Sequence, residues 1–353
     1  RNNSFTTLQR MQKEIHKFLD NAIEQGVFHK AVVGLIYPNG ETCVIAKNVS
    51  ENAVFDIASL TKVCPTSTIA LHYILTKKLD LKAPVSKYLK KINTNYRDEV
   101  LVWHLLTHSL DYSVPMSSLK EKSPEEILDF LFNYQFEKRP GTLFNYGNPA
   151  SILLGLILQE VSGKHLDVLA EEMLFLPLGM NRSGFFPLKK MQKEEIVPTE
   201  ICAFRNREIQ GEVHDESAFV LQKLFPVGSA GMFSTVPDLL RFLKMLLQDG
   251  KFEGKQVIAS GILEMISKNA FARDISACTA LGFELNSEKF MGKCHSPKTF
   301  GKTGFTGASL IGDAEKKAGI ILLSDFTYPK REKTPARINE TRSALADLFF
   351  NGI

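Results

Sequence analysis

Residues Phe55 to Val63 read Phe-Asp-Ile-Ala-Ser-Leu-Thr-Lys-Val, and they place Ser59 and Lys62 three positions apart at the expected start of a helix. Positions i and i+3 share a helix face, so the hydroxyl and the amine can meet without any tertiary coincidence. A serine hydroxyl is a weak nucleophile until a base takes its proton, and a lysine serves as that base when burial or a neighbouring cation keeps it neutral. Unpaired backbone N–H groups at a helix start also stabilise developing negative charge. Alone, Ser-x-x-Lys recurs by chance and reads more simply as a helix cap followed by a solvated lysine.

Upstream, Leu8, Met11, Ile15, Leu19 and Ile23 follow helical spacing and stop at Gly26, which predicts an amphipathic N-terminal helix. The apolar run Ala31 to Tyr37, the turn signal Pro38-Asn39-Gly40 and the alternating segment Glu41 to Lys47 predict a hairpin. A polar connection, Asn48 to Ala53, then leads to Ser59 and a helix running to about Leu75. From Lys77 to about residue 280 helical patterns dominate and strand-like runs are scarce. Ser123-Pro124-Glu125-Glu126 is a capping-box start, Pro149 to Ser162 is a buried helix stopped by Gly163, and Ser234 to Gly250 opens on a Ser/Thr cap. Strand signals return at Leu281 to Leu285, Thr299 to Thr303, Ser309 to Gly312 and Gly319 to Leu323. A last helix from about Glu332 to Phe350 presents Ile338, Leu345, Leu348 and Phe349 on one face.

The expectation is an α/β (α+β) protein. Residues 1–76 and 281–353 form one antiparallel sheet flanked by N- and C-terminal helices, residues 77–280 form an inserted, mostly helical domain, and the site lies in the cleft between them.

A chain of 353 residues with 44% hydrophobic and 23% charged residues is that of a globular protein with a sizeable core. The net charge of +4 is mild and its lysines and arginines are interspersed with acids, which speaks against nucleic acid as a partner. The densest basic spot, Lys330, Arg331 and Lys333, reads as a solvated turn. The five cysteines are odd in number and widely spaced, and neither they nor the eight histidines show a metal-ligand spacing. No metal or cofactor is therefore expected. No apolar run is long enough to span a membrane. The chain starts at Arg1 without a methionine, which leaves room for a leader upstream.

Two short motifs bear on Ser59 and Lys62. Tyr146-Gly147-Asn148 offers a phenol that can carry a proton to a leaving group and a carboxamide that can hold a substrate amide. Lys302-Thr303-Gly304 offers a cation and a hydroxyl for a substrate carboxylate, and a glycine past which substrate backbone can approach. Each motif is commonplace by itself. Ser-x-x-Lys, Tyr-x-Asn and Lys-Thr-Gly in this order are not.

With these motifs the chain resembles the serine β-lactamase and D-alanyl-D-alanine carboxypeptidase superfamily, and within it the class C branch that also holds esterases. Further family-like stretches are Leu105 to Ser109, Pro140-Gly141, Leu176 to Met180 and Gly228 to Thr235. The resemblance implies that Ser59 is acylated and that Lys62 and Tyr146 share the proton traffic. It further implies that Asn148 binds the substrate amide and Lys302, Thr303 and Gly304 meet the substrate carboxylate end. Backbone N–H groups of Ser59 and Phe305 would form the oxyanion hole.

Many relatives of this branch carry His where Lys302 stands, so Lys302 points to carboxylate-bearing substrates. Ser109-Leu110-Asp111-Tyr112 departs from the usual continuation and leaves the shape of one cleft-side loop open. His214 is either structural or touches substrate. The implied activity is a penicillin-recognising D-alanyl-D-alanine carboxypeptidase, with a class C-like β-lactamase or an esterase as alternatives and an inactive binding protein as a remote one. Its partners would be small: a D-Ala-D-Ala stem peptide, a β-lactam or an ester. A cell-wall substrate implies a periplasmic or otherwise exported enzyme; a cytoplasmic esterase would suit the free cysteines.

Overall fold

The computed structural model describes residues 2–271, 278–331 and 335–353, with side chains from residue 9 onward. The side chain of Leu8, the expected helix start at Glu332 and Lys333 of the basic run lie outside the described residues.

The apolar run after Gly26 and the last apolar run of the chain find each other. Strands β1 (Ala31–Ile36) and β2 (Thr42–Lys47) form the expected hairpin. Downstream, β3 (Glu284–Leu285), β4 (Thr299–Thr303), β5 (Ser309–Asp313) and β6 (Ala318–Ser324) complete an antiparallel six-stranded sheet in the order β3-β4-β5-β6-β1-β2. The two chain ends join where Ala31 pairs with Ser324 and Ile36 with Gly319. Strands buried on both faces read as continuous apolar runs, and β1 and β6 do.

One sheet face, with Val33, Leu35, Ile320 and Leu322, packs under helix α1 (Asn2–Glu24) and the C-terminal helix through Ile15, Leu19, Leu345 and Phe349. The other face, with Val32, Leu310 and Ile321, joins the larger core. Helix α2 (Thr68–Leu75) follows the nucleophile segment; α3 (Asn148–Ser162) stops at Gly163 in a left-handed conformation; α4 is Glu216–Leu221; α5 (Val236–Leu247) is capped by Thr235; α6 is Pro335–Asn351. The Ser123 capping box is present, with Glu126 N–H on Ser123 Oγ at 3.2 Å and Ser123 N–H on Glu126 Oε2 at 2.8 Å.

Two sequence expectations change. The strand expected from Leu281 shortens to Glu284–Leu285 because Gly282 turns left-handed, at φ +79°, and gives its N–H to Leu106 O at 2.7 Å. A Cβ at Gly282 would sit 2.4 Å from Ser67, so the chain passes too close to the kinked stretch Val63–Ser67 before α2 for a side chain there. The middle segment also holds short strands that no sequence periodicity marked. Gly184–Phe185, Met232–Ser234 and Phe55–Asp56 form a three-stranded sheet that ties the nucleophile segment to residues far along the chain.

Leu322 lies in the centre of the joined sheet and is 1% exposed. Leu322→Ala is expected to lower stability by about 3 kcal/mol, read from the urea unfolding midpoint; a loss below about 1 kcal/mol would contradict the packing described.

Candidate active site

Ser59 sits in a 3-10 turn, Ala58–Lys62, that precedes a kinked helical stretch and α2. The turn is entered under strain: Ala58 has φ +51°, a conformation that costs a non-glycine residue about 1–3 kcal/mol. Asp56 holds it there. Its carboxylate accepts the Ala58 N–H at 2.8 Å, and also the His214 backbone N–H at 2.8 Å. His214 Nδ1 lies 2.9 Å from the same carboxylate, and the Asp56 carbonyl accepts the Thr306 hydroxyl at 2.8 Å. One buried acid therefore fixes the nucleophile turn, the His214 segment and the loop after β4.

Lys62 is 1% exposed, and its Nζ lies 2.8 Å from Ser59 Oγ, 2.8 Å from Asn148 Oδ1 and 2.9 Å from the carbonyl of Ser229. Burial pushes the amine below the ordinary lysine range. Lys302 pushes the same way, while Tyr146 and Asp215 oppose it. A neutral amine beside a serine hydroxyl can take its proton. Asn148 opens α3 behind Gly147, and its Nδ2 donates to Asp215 Oδ2 at 2.9 Å.

Tyr146 reaches the cleft from an extended stretch seated on the loop that departs from the family pattern. Asn145 N–H donates to His108 O at 2.7 Å and its side chain to Tyr112 O at 2.9 Å, while Gly141 N–H donates to Ser109 O at 2.8 Å. The His108 ring packs against the Tyr146 ring with centroids 4.9 Å apart. Lys302 Nζ lies 3.8 Å and Lys62 Nζ 5.4 Å from the tyrosine ring centroid. The low-dielectric surroundings of the phenol oxygen oppose ionisation, but Lys302 and Lys62 outweigh them and bring the phenol down to about 8. Burial, Lys302 and Lys62 hold His108 well below the ordinary histidine range, so it adds no third cation.

The structure gives Lys302 and Gly304 partners within the protein. Lys302 is 2% exposed and gives its charge to Glu284 Oε1 at 2.5 Å, so its cation is committed to Glu284 and the tyrosine rather than open to the cleft. Thr303 and Gly304 both line the cleft. Gly304 also serves the protein itself: a Cβ there would lie 2.6 Å from Ile57 O and 3.2 Å from Ala58 Cβ. The missing side chain lets β4 close on the nucleophile turn. Arg342 of α6 clamps the same loop, donating to Gly304 O at 2.7 Å and Ala308 O at 2.8 Å.

Phe305 follows, 47% exposed, its ring stacked on His214 at 5.6 Å and an interplanar angle of 3°. Its N–H donates to no backbone carbonyl of the described residues. His214 is thus bound to Asp56 and stacked on Phe305, a support for that loop, while also lining the cleft of about 470 Å³ around Ser59, Tyr146 and Thr303. Burial disfavours the imidazolium, but Asp56 outweighs it and holds His214 above its usual range.

Sequence reasoning missed Asp56, Asp215, Glu284 and the Ser229 carbonyl. Asp56 and Ser229 stand inside the stretches quoted for the resemblance and Asp215 beside His214, but their roles were not read; Glu284 carried no signal. Among the described residues no group of His, Cys, Asp and Glu is arranged to hold a metal ion, none of the cysteines is paired, and no helix is long and apolar enough to cross a membrane.

Acyl transfer through serine needs a hydroxyl whose proton has a base to go to, and the protein is a serine hydrolase. The chain belongs to the Beta-lactamase family, whose profile matches residues 19–343. It is 28% identical over 319 residues to an N-acetylmuramyl-L-alanine amidase of Bacillus subtilis, covering 82% of this chain and 71% of that protein. It is 27% identical over 303 residues to a putative D-alanyl-D-alanine carboxypeptidase of Escherichia coli, covering 77% and 69%. The structure of EstCE1, a hydrolase with promiscuous acyltransferase activity, superposes with a TM-score of 0.72 at 18% identity over 95% of this chain and 99% of that one.

Phenolate absorbance should show one tyrosine titrating near pH 8, absent from Tyr146→Phe and moved to higher pH in Lys302→Met, because removing the cation destabilises the phenolate. A titration unmoved by Lys302→Met contradicts the arrangement. Gly304→Ala should slow Ser59 acylation by about tenfold or more, since the turn must shift to admit the methyl group; a wild-type rate would show that the close approach is not needed.

Proposed function

We propose that the protein is a D-alanyl-D-alanine carboxypeptidase-like enzyme that recognises penicillins and works through an acyl-enzyme on Ser59. The observation that carries this reading is the buried Lys62 amine 2.8 Å from Ser59 Oγ, with the Tyr146 phenol lowered to about 8 in the same cleft. Lys62 takes the hydroxyl proton as Ser59 Oγ attacks the scissile carbonyl, and the backbone N–H groups of Ser59 and Phe305 hold the resulting oxyanion. Loss of one such donor costs about 3–4 kcal/mol in comparable sites. Tyr146 gives its proton to the departing D-alanine amine, the C–N bond breaks, and water later releases the acyl group from Ser59. Asn148 holds the substrate amide with the Nδ2 hydrogen that Asp215 leaves free, and Thr303 receives the carboxylate, with Lys302 behind it. The carboxypeptidase name of the Escherichia coli relative supports the choice of substrate.

An ester substrate is the second reading. It is favoured by the commitment of Lys302 to Glu284, which weakens the demand for a substrate carboxylate, and by the exposed rings of Tyr146, Phe144 and Phe305, 41%, 37% and 47% open. A β-lactamase differs from the carboxypeptidase only in how fast water reaches the acyl-enzyme. With a cell-wall substrate the enzyme works outside the cytoplasmic membrane, and that localisation is part of the proposal.

Incubation with a penicillin should give a stable mass adduct on the native chain and none on Ser59→Ala. No adduct would end the penicillin-recognition reading, and an adduct on Ser59→Ala would move the nucleophile elsewhere. Release of D-alanine from diacetyl-Lys-D-Ala-D-Ala should exceed hydrolysis of nitrophenyl butyrate and of a chromogenic cephalosporin; the reverse ranking would favour the esterase or the β-lactamase.

A further inference from the structure

Lys62 meets two oxygen atoms that can only accept. The carbonyl of Ser229 is fixed by the backbone, so one N–H of the amine points there at 2.9 Å. The second acceptor, Asn148 Oδ1 at 2.8 Å, is one half of a carboxamide that fits its site in either of two orientations. Turned the other way, Asn148 would present N–H groups to Lys62, and a donor facing the amine would claim its lone pair.

What fixes the orientation is Asp215. Its carboxylate accepts and does not donate while ionised, so the group 2.9 Å from Oδ2 has to be the Asn148 amide nitrogen. The carboxylate cannot swing away, because Oδ1 is held by the Ser217 hydroxyl at 2.6 Å and the Ala218 N–H at 2.8 Å at the start of α4. Burial opposes its ionisation, but His214, Ser217 and the Ala218 N–H outweigh it and keep the acid below the usual carboxylate range.

A neutral lysine amine has two N–H bonds and one lone pair. With Ser229 O and Asn148 Oδ1 each taking an N–H, the remaining direction at nitrogen is toward Ser59 Oγ, 2.8 Å away. We propose that Asp215 is a positioning residue: by orienting the Asn148 carboxamide it aims the Lys62 lone pair at the Ser59 hydroxyl. The chain of contacts runs from Asp215 through Asn148 to Lys62 and Ser59, and Asp215 touches neither the hydroxyl nor the cleft's reacting atoms. This inference rests on the reading of Lys62 as the base.

Simple charge removal and loss of orientation predict opposite outcomes. The charged or titratable groups acting on Lys62 are Tyr146, Lys302 and Asp215, and of these Tyr146 and Asp215 favour its protonated form. Replacing Asp215 with a neutral side chain therefore lowers the Lys62 titration midpoint and leaves more free base at neutral pH. If charge were all that Asp215 supplied, acylation would hold or quicken. If it orients Asn148, acylation slows although the free base is more abundant.

The test uses Asp215→Asn and Asp215→Ser, because both residues still cap a helix N-terminus and keep α4 in place. Folding is checked by circular dichroism. Acylation of Ser59 by nitrophenyl butyrate is followed as a burst, and the Lys62 midpoint by NMR of isotope-labelled lysine, with Lys62→Arg to assign the signal. The expected result is a lower Lys62 midpoint together with acylation slowed by about 10- to 100-fold, KM changing little, and partial recovery in Asp215→Glu. Acylation within twofold of wild type in either folded variant overturns the proposal, and so does an unmoved midpoint. If the wild-type chain is acylated by neither nitrophenyl butyrate nor a penicillin, the reading of Lys62 as the base falls on that result. The Asp215 linkage is then decided by NMR of the Asn148 carboxamide N–H signals: a shift in Asp215→Ser supports it, and signals unmoved from wild type overturn it.

Discussion

An amine held 1% exposed between two carbonyl oxygens and a hydroxyl is the constraint around which this molecule is built. Burying a lysine in its charged form is costly unless it is paired, so the dry setting itself shifts Lys62 toward the base. Keeping the setting dry requires that elements from distant parts of the chain meet over one short turn. Asn148 comes from the start of α3, the Ser229 carbonyl from the segment before Met232–Ser234, and the neighbouring Lys302 from β4. None of these can be removed without opening the amine to water or leaving one of its donors unmatched.

The closure of the sheet and the geometry of the site are the same event. Strand β4 lies in register with β5, β5 with β6, and β6 with β1, so the position of Thr303 is set by pairings that begin at the N-terminal hairpin. Gly304 then lets the end of β4 settle against Ile57 and Ala58, and Arg342 of α6 holds the loop in that contact. Asp56 completes the link from the other side, through Ala58, His214 and Thr306. The strain at Ala58 persists because so many contacts determine the turn.

Much of this was legible in the residues. Period and punctuation alone marked the hairpin from Ala31 to Lys47, the helix that stops at Gly163 and strands β4 to β6, because burial on a regular element leaves a repeating pattern. The motif residues Ser59, Lys62, Tyr146 and Asn148 stand together around one cleft, and Thr303 lines it. What stayed hidden obeys no period. Glu284 meets Lys302 only because β3 pairs with β4, Glu284 opposite Gly301. The small sheet of Phe55–Asp56, Met232–Ser234 and Gly184–Phe185 is too short to carry an alternation. Gly304 was legible as a glycine but not in its purpose, since the atoms that exclude a side chain belong to Ile57 and Ala58 in another segment.

The charges around the cleft alternate, and the alternation has a consequence for proton traffic. Glu284 faces Lys302, Lys302 faces Tyr146, Tyr146 faces Lys62, and Asp215 acts on Lys62 from the far side. Lys302 is held charged by Glu284 against the cost of burial, so the groups free to change are Lys62 and Tyr146. Each favours the other's ionised partner state: a phenolate raises the amine, and an ammonium lowers the phenol. The two therefore titrate as a unit that passes one proton between them. In the proposed acyl transfer Lys62 gains a proton from Ser59 while Tyr146 loses one to the leaving group, so the pair ends each acylation as ammonium beside phenolate. The proton then returns from Lys62 to Tyr146 within the pair, without a further base but against the attraction that steadies ammonium beside phenolate, and Lys302, fixed in charge, stabilises the intermediate phenolate.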